Sequence, residues 1–282
     1  MGLVFTGNPP RTRGPIIAEV PTPNYSGLSD DNASTSINPY TGQGPGAGGV
    51  GQTASEVALD RAGGPATDPN FANVVLLMHL DSDFTDSSNS GHTFASTGSP
   101  VISSDQSKFG GSSLSLNGSS WIITTNAQDD WDFGLDDFTI EYFLYPHTNP
   151  DFIFPLSTVT ATAVGGWWTE YGTRGFIFGT TGTVVLISAS HTISINTWHH
   201  IAYVRDSGTM RYFVDGVQIS SDSSKSAVAA DTSDTNGLAI GNLIPGVGDF
   251  PVDGFMDELR ITKGVAIYTA NFTPPTEAFP DS

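Results

Sequence analysis

From Val74 to the C-terminus the chain is a succession of short apolar and β-branched runs, separated by turns rich in Gly, Asn, Asp and Ser. Runs of this length with period-two alternation predict strands. The clearest covers residues 138–145 (FTIEYFLY), where aromatics overlie the alternation, as in a strand packed on one face and partly covered on the other. Runs at 198–205 and 210–214 flank Asp206-Ser207-Gly208-Thr209, a short Gly-containing gap that predicts a hairpin. Asp215-Gly216 then reverses the chain into 217–220. Further strands are predicted at 74–80, 113–117, 121–125, 175–178, 184–188, 238–242 and 254–262. About ten to twelve strands with turns at frequent intervals, and no internal repeat, predict one all-β domain over residues 74–282 built as a two-sheet sandwich.

Residues 1–73 differ. They contain 12 Gly and 9 Pro and carry no periodic apolar pattern. The stretch 41–51 (TGQGPGAGGVG) is Gly-rich enough to be flexible, and the prolines favour extended or turned backbone. This segment reads as an extended arm, with a disordered tail or linker and a segment that orders on assembly as the two alternatives. Apolar positions are strung along it at Leu3, Val4, Phe5, Ile16, Ile17, Tyr25 and Tyr40, which suits ordering against a partner on assembly. Fully extended, such an arm would reach roughly 240 Å at about 3.3 Å per residue.

Charge sharpens the division. The chain has 10 Lys+Arg against 29 Asp+Glu, a net charge of −19, of which −3 falls in residues 1–73 and −16 in the rest. A surface this acidic repels phosphate backbones, so nucleic acid is not an expected partner. There is no cysteine, hence no disulfide framework, thiolate nucleophile or thiolate zinc site. The longest apolar run, Val74–Met78, is far shorter than the roughly 20 residues of a spanning helix, and no membrane partner is expected. The N-terminal MGLVFTGNPPRTRG lacks the apolar stretch of a signal peptide; its first six residues fit a myristoylation pattern too short to be specific.

Five blocks carry a family resemblance: LLMHLDSDFTDSSNSGHTF, QSKFGGSSLSLNGSSWI, WDFGLDDFTIEYFLYP, NTWHHIAYVRDSGTMRYFVDGV and GFMDELRITKGVAIYTANFTPPT. In this order and spacing the domain resembles laminin-G-like domains of the concanavalin A-like lectin/glucanase superfamily. The resemblance implies an antiparallel jelly-roll sandwich whose first and last strands share a sheet. The block DELRITKGVAIYTANFTPP is similar to versions of the domain found in bacteriophage virion proteins. That similarity implies a non-enzymatic virion component, a capsid decoration or cement protein or a fibre part. It would be made in the host cytoplasm without a signal peptide, stand on the virion exterior, and hold capsid or tail subunits through residues 1–73. The alternative is an adhesion module that binds a host-surface glycan. Relatives occur as monomers, dimers and trimers, so a homo-oligomer stays open.

The residues offer limited chemistry. Glucanases of the superfamily carry alternating carboxylates (Glu-x-Asp-x-Glu) on a strand, because retaining hydrolysis needs two carboxyl groups about 5 Å apart. Here Glu141 stands alone, and no Gly-x-Ser-x-Gly elbow occurs, so no catalytic residue is assigned. His199-His200 would diverge on a strand and is read as structural. Acidic turns suit Ca²⁺, which takes six to eight oxygen ligands. The candidates are Asp81, Asp253 and Asp257, with Asp83 and the Asp129-Asp130-Trp131-Asp132 turn as further acidic positions, and pairing of the terminal strands would bring Asp81 to Asp257. For a glycan, Trp167, Trp168, Glu170 and Tyr171 lie in a Gly-rich segment expected to contain a loop, although adjacent tryptophans on extended backbone send one ring inward.

Overall fold

The computed structural model describes residues 67–125, 129–159, 166–173, 175–180, 184–230, 237–243 and 250–282. The arm positions Leu3 to Tyr40 lie outside the described residues. Two antiparallel sheets face each other. In chain order the strands are β1 (Val74–Met78), β2 (Phe94–Thr97), β3 (Val101–Ser103), β4 (Ser113–Asn117), β5 (Trp121–Thr124), β6 (Phe138–Pro146), β7 (Leu156–Ser157) and β8 (Trp167–Gly172). They continue with β9 (Gly175–Thr180), β10 (Val184–Ala189), β11 (His199–Asp206), β12 (Thr209–Val214), β13 (Val217–Asp222), β14 (Ala239–Ile240) and β15 (Asp253–Lys263). The first sheet runs β13-β12-β11-β6-β15-β4-β3, with β1 also on β15; the second runs β10-β9-β8-β7-β14-β5-β2.

Both predicted reversals form two-residue turns. Asp206 pairs with Thr209 across Ser207-Gly208, and Val214 pairs with Val217 across Asp215-Gly216. All four turn residues have positive φ, between 49° and 80°, the geometry that matches the twist of the flanking strands. The last strand, β15, is the centre of the first sheet: β6 lies along one side, while β4 and β1 follow each other along the other. The first and last strands do share a sheet.

Alternation along β6 sends Ile140, Tyr142 and Leu144 into the core between the sheets, with Leu76, Met78, Leu114, Trp131, Phe138, Trp167, Phe178 and Ile261. Thr139, Glu141 and Phe143 point the other way, yet they too are buried. Phe143 lies under Lys108 and Phe109, while Thr139 and Glu141 are covered by the C-terminal segment 264–282, which has no strand of its own. Ala266, Tyr268 and Phe272 pack on Ala202, Val204 and Phe213, and Phe279 packs on Val74 and Leu77. The segment is pinned by Ile267 N donating to Thr139 Oγ1 (2.9 Å), Phe272 N to Gly216 O (2.9 Å) and Phe279 N to Glu258 Oε2 (2.9 Å). Residues 67–73 dock beside it: Asp68 N donates to Ser282 O at 2.7 Å, and Phe71 joins the Phe279 cluster.

Beneath this cover lies a buried ionic network. Glu141 is fully buried; its Oε1 accepts from Arg260 Nη2 (2.6 Å) and Nε (2.9 Å), and its Oε2 accepts from Tyr268 OH at 2.8 Å and meets His200 Nε2 at 3.0 Å. Arg260 Nη1 also donates to Asp68 Oδ2 at 2.6 Å, and its guanidinium lies 4.0 Å from the Phe279 ring centre. Burial would raise the Glu141 carboxyl, but the Arg260 charge and the His200 contact outweigh it and hold it at about 2, against an ordinary 4.5. A second clasp joins His79 to Glu258 (2.9 Å) and Asp281 (2.8 Å); the Glu258 hydrogen bond, against the pull of burial, raises His79 to about 9.

Candidate functional site

Two surfaces gather the residues singled out from the sequence. The first is the outer face of the second sheet. The segment 167–172, expected to contain a loop, is the regular strand β8, paired along its length with β9. Its flanking glycines concealed it. Strand parity then sorts the four aromatic-cluster candidates. Trp167 and Tyr171 face inward and are fully buried: Trp167 Nε1 donates to Trp131 O at 2.8 Å, and Tyr171 rests on Phe176 with ring centres 4.6 Å apart. These two therefore cannot be part of a surface platform. Trp168 and Glu170 point to the outer side of the sheet, but Glu170 is itself buried, so of the four only Trp168 reaches the surface. Trp168 is half-buried and lies across Gly179, where an added Cβ would come within 2.4 Å of Trp168 Cζ2. Gly179 is the floor that lets the indole lie flat. Beside the ring are Ser157, paired with Trp168, and half-buried Ile177, paired with Glu170. Val185 (37% exposed) and the exposed Ser188 continue the face on β10.

The second surface is acidic. Pairing of β1 with β15 brings Asp81, just past β1, to Asp257. Asp257 is fully buried. Its Oδ2 accepts from Lys108 N (2.7 Å) and Phe109 N (3.2 Å), and its Oδ1 accepts from Glu258 N at 3.0 Å. Burial, with the charges of Glu258 and Asp81, raises it to about 7 despite those amide donors. Asp81 lies against Gly110, where a Cβ would fall 1.8 Å from its Oδ1, and that oxygen is buried without a hydrogen-bond partner. Glycine at 110, with φ +58°, gives the carboxylate its place. Two carboxylates with an orphaned oxygen fit part of a hard-cation ligand set. Among the described residues no group of three His, Asp or Glu side chains gathers to complete one.

The remaining candidates are committed elsewhere. Asp253 Oδ1 meets His147 Nδ1 at 3.0 Å and Asp83 Oδ1 accepts from Thr85 N. In the Asp129–Trp131 turn, a 3₁₀ helix, the Trp131 ring enters the core. The two histidines diverge as expected, but neither is open to solvent. His199 bonds Asp215 Oδ2 (2.7 Å) and Ser194 Oγ (2.9 Å), and His200 lies under Tyr268 and Phe272. The Glu141–Arg260–Asp68 network was not foreseen. The available signal was a lone glutamate in a nine-residue apolar strand, which requires a buried cation partner.

The sandwich is similar to solved carbohydrate-associated proteins. One is domain 4 of AbnA, a GH43 extracellular arabinanase from Geobacillus stearothermophilus, in complex with arabinotriose (17% identity, TM-score 0.55, covering 69% of this chain and 94% of that one). Others are botulinum neurotoxin type C, whose cell entry depends on two ganglioside molecules (16%, TM-score 0.52, 69% and 49%), and the botulinum neurotoxin DC binding domain in complex with SialylT (14%, TM-score 0.51, 69% and 49%). This chain spans about half the length of those toxin chains. At such identities the likeness is one of fold. No curated protein matches. A sequence model of the laminin G family, within the concanavalin A-like lectin/glucanases superfamily, matches residues 96–266, more than half of the chain, and the chain belongs to that family.

Proposed function

We propose that the sandwich is a non-catalytic carbohydrate-binding module that receives a glycan on the outer face of its second sheet, with Trp168 as the stacking platform. The observation that carries this reading is the half-buried Trp168 indole lying flat over Gly179, on a face that exposed Val185 and Ser188 continue. An indole held in this way offers a rigid apolar plane to the C–H face of a sugar at low entropic cost. The similarity to an arabinanase domain solved with arabinotriose supports the class of ligand. On a glycan array the wild-type protein should bind at least one neutral glycan, and Trp168→Ala should lose that signal while keeping its fold. An array on which Trp168→Ala binds as well as wild type would end the assignment.

The Asp81–Asp257 pair is where this reading places Ca²⁺, with further ligands from backbone carbonyls and water. The ion's charge would offset the raised Asp257 carboxyl and fasten the loop containing Lys108 to the last strand. Chelator should then lower the melting temperature of the wild type but not of Asp81→Asn. An unchanged wild-type melting temperature would remove the ion from the account.

A second reading makes residues 1–73 the tether of the domain to a virion. It is favoured by their 12 Gly and 9 Pro and by the phage-like block at residues 257–275. Deleting residues 1–66 should, on that reading, abolish incorporation into particles and leave the sandwich folded; normal incorporation would contradict it.

A further inference from the structure

Between β10 and β11 the chain crosses from the second sheet to the first in a loop, residues 190–198, that is held in place along its length. His191 N donates to Ala189 O at 2.9 Å, Ile193 is buried in the core, and Asn196 N donates to Pro146 O at 2.7 Å. Asn196 has φ 56°, a left-handed conformation that asparagine tolerates, and the chain turns there towards β11. Ser194 stands exposed between buried Ile193 and Ile195, itself 46% exposed. The loop shares no residue with the two surfaces described above.

The Ser194 hydroxyl meets the first residue of β11. Ser194 Oγ lies 2.9 Å from His199 Nε2, His199 Nδ1 lies 2.7 Å from Asp215 Oδ2, and Asp215 Oδ1 accepts from His200 N at 2.9 Å. Hydroxyl, imidazole and carboxylate thus stand in series, with the carboxylate itself anchored by a main-chain amide. This is the order in which a base draws on a serine and an acidic group fixes the tautomer of the base. Asp215 comes from the β12–β13 turn, where its φ is 49°, so the series joins a loop, a strand and a hairpin turn. Burial raises the Asp215 carboxyl, but the bonds to His199 and His200 outweigh it and hold it below the ordinary 3.8. An ionised Asp215 keeps a proton on Nδ1, which in the neutral ring leaves the Nε2 lone pair directed at Ser194. The imidazole is shielded, at 9% exposure; the serine in front of it is what solvent reaches.

We propose that Ser194 is an activated serine, a covalent acyl-acceptor site that takes the acyl group of an uncharged, short-chain carboxylic ester. Oγ attacks the acyl carbon while its proton passes to His199 Nε2. The ester C–O bond then breaks, and the departing alkoxide takes that proton from Nε2 and leaves as an alcohol. Ester and serine hydroxyl become acyl-serine and alcohol, with no change of oxidation state. Ser194 is the nucleophile, His199 the base that carries the moving proton, and Asp215 a positioning residue that acts through His199. Ile195 offers an apolar contact to the acyl chain, while half-exposed Asp215 and the −16 of the sandwich disfavour anionic donors. Acylation modifies the chain once and no turnover is assigned, so the site sits beside the non-catalytic reading of the sheet face and does not depend on Trp168.

The test treats the full-length protein with a fluorophosphonate probe and, separately, with p-nitrophenyl acetate, and reads the adducts by intact-mass and peptide mass spectrometry. One adduct per chain should form and map to Ser194, with Ser194→Ala unlabelled and equally stable. Asp215→Asn suits the left-handed turn and can still accept from His200 N, but its amide donates to Nδ1 and moves the ring proton to Nε2. That variant should label about 100-fold more slowly, the lower end of what a positioned base contributes, with little change in melting temperature. Nitrogen NMR of the His199 ring should show Nδ1–H in the wild type and Nε2–H in Asp215→Asn. The competing arrangement is an imidazolium whose Nε2–H donates to Ser194 O, 3.2 Å away, and merely closes the loop. A wild-type ring that carries hydrogen on Nε2 at neutral pH, adducts scattered over other hydroxyls, or equal labelling of wild type and Asp215→Asn would overturn the activated serine. The NMR and the adduct map of the wild type decide the matter even where a variant fails to fold.

Discussion

Glu141→Ala is expected to lower the unfolding free energy by about 3–5 kcal/mol at neutral pH, the range for removing one member of a buried ion pair. The cost arises mainly from what is left behind. Arg260, 8% exposed at its side chain, would keep only Asp68 as a carboxylate partner, while His200 and the Tyr268 hydroxyl would lose the oxygen they share. Urea unfolding should show a lower midpoint with an unchanged slope. A loss below about 1 kcal/mol would mean that the network merely tolerates its own burial. The same carboxylate sets an acid limit. Because Glu141 is held at about 2 in the folded protein against an ordinary 4.5, its contribution is complete above about pH 4.5 and is lost as pH falls through 2. Glu141→Ala should therefore flatten the acid limb of the stability profile.

Trp167→Ala is expected to cost a further about 3–5 kcal/mol, the range for truncating a fully buried aromatic side chain. The ring is stacked between Phe133 and Phe178, at 5.5 and 5.6 Å between centres, and its removal would also leave Trp131 O without its donor. Trp168→Ala one residue away should cost far less, because its ring lies outside the core. A thermal melt of the two variants side by side checks the assignment of faces. Equal destabilisation would show that β8 does not hold its register.

The pair also marks what could be read from residue order. Adjacent tryptophans on a strand must part, and that much is local chemistry. Which one enters the core is set by pairing with β9, a tertiary fact that Gly165, Gly166 and Gly172 obscured by suggesting a loop. The hairpins at Ser207-Gly208 and Asp215-Gly216 were legible because their turn residues demand positive φ. Strands β2 and β3 were not, since FAST and VIS are short, largely exposed edge segments with no apolar face to betray them. Asp81 and Asp257 could be brought together only by assuming that the terminal strands pair. Asp253 was grouped with them by sequence nearness, yet its carboxylate meets His147 instead. The Tyr268–Phe279 cover escaped notice because an irregular, Pro-containing segment has no period to detect.

The central place of β15 bears on the order of events during synthesis. Strands β1, β4 and β6 leave the ribosome early, yet each takes β15 as a neighbour, and Met78 must wait for Leu259. Until the last thirty or so residues emerge, the first sheet is split down its middle and its inner edges stand open to foreign strands. A fold whose decisive contacts join its two ends belongs to the slow, high-contact-order class. The acidity of the sandwich, −16 of the chain's −19, then acts before the native state exists, as mutual repulsion among chains still waiting for their final strand.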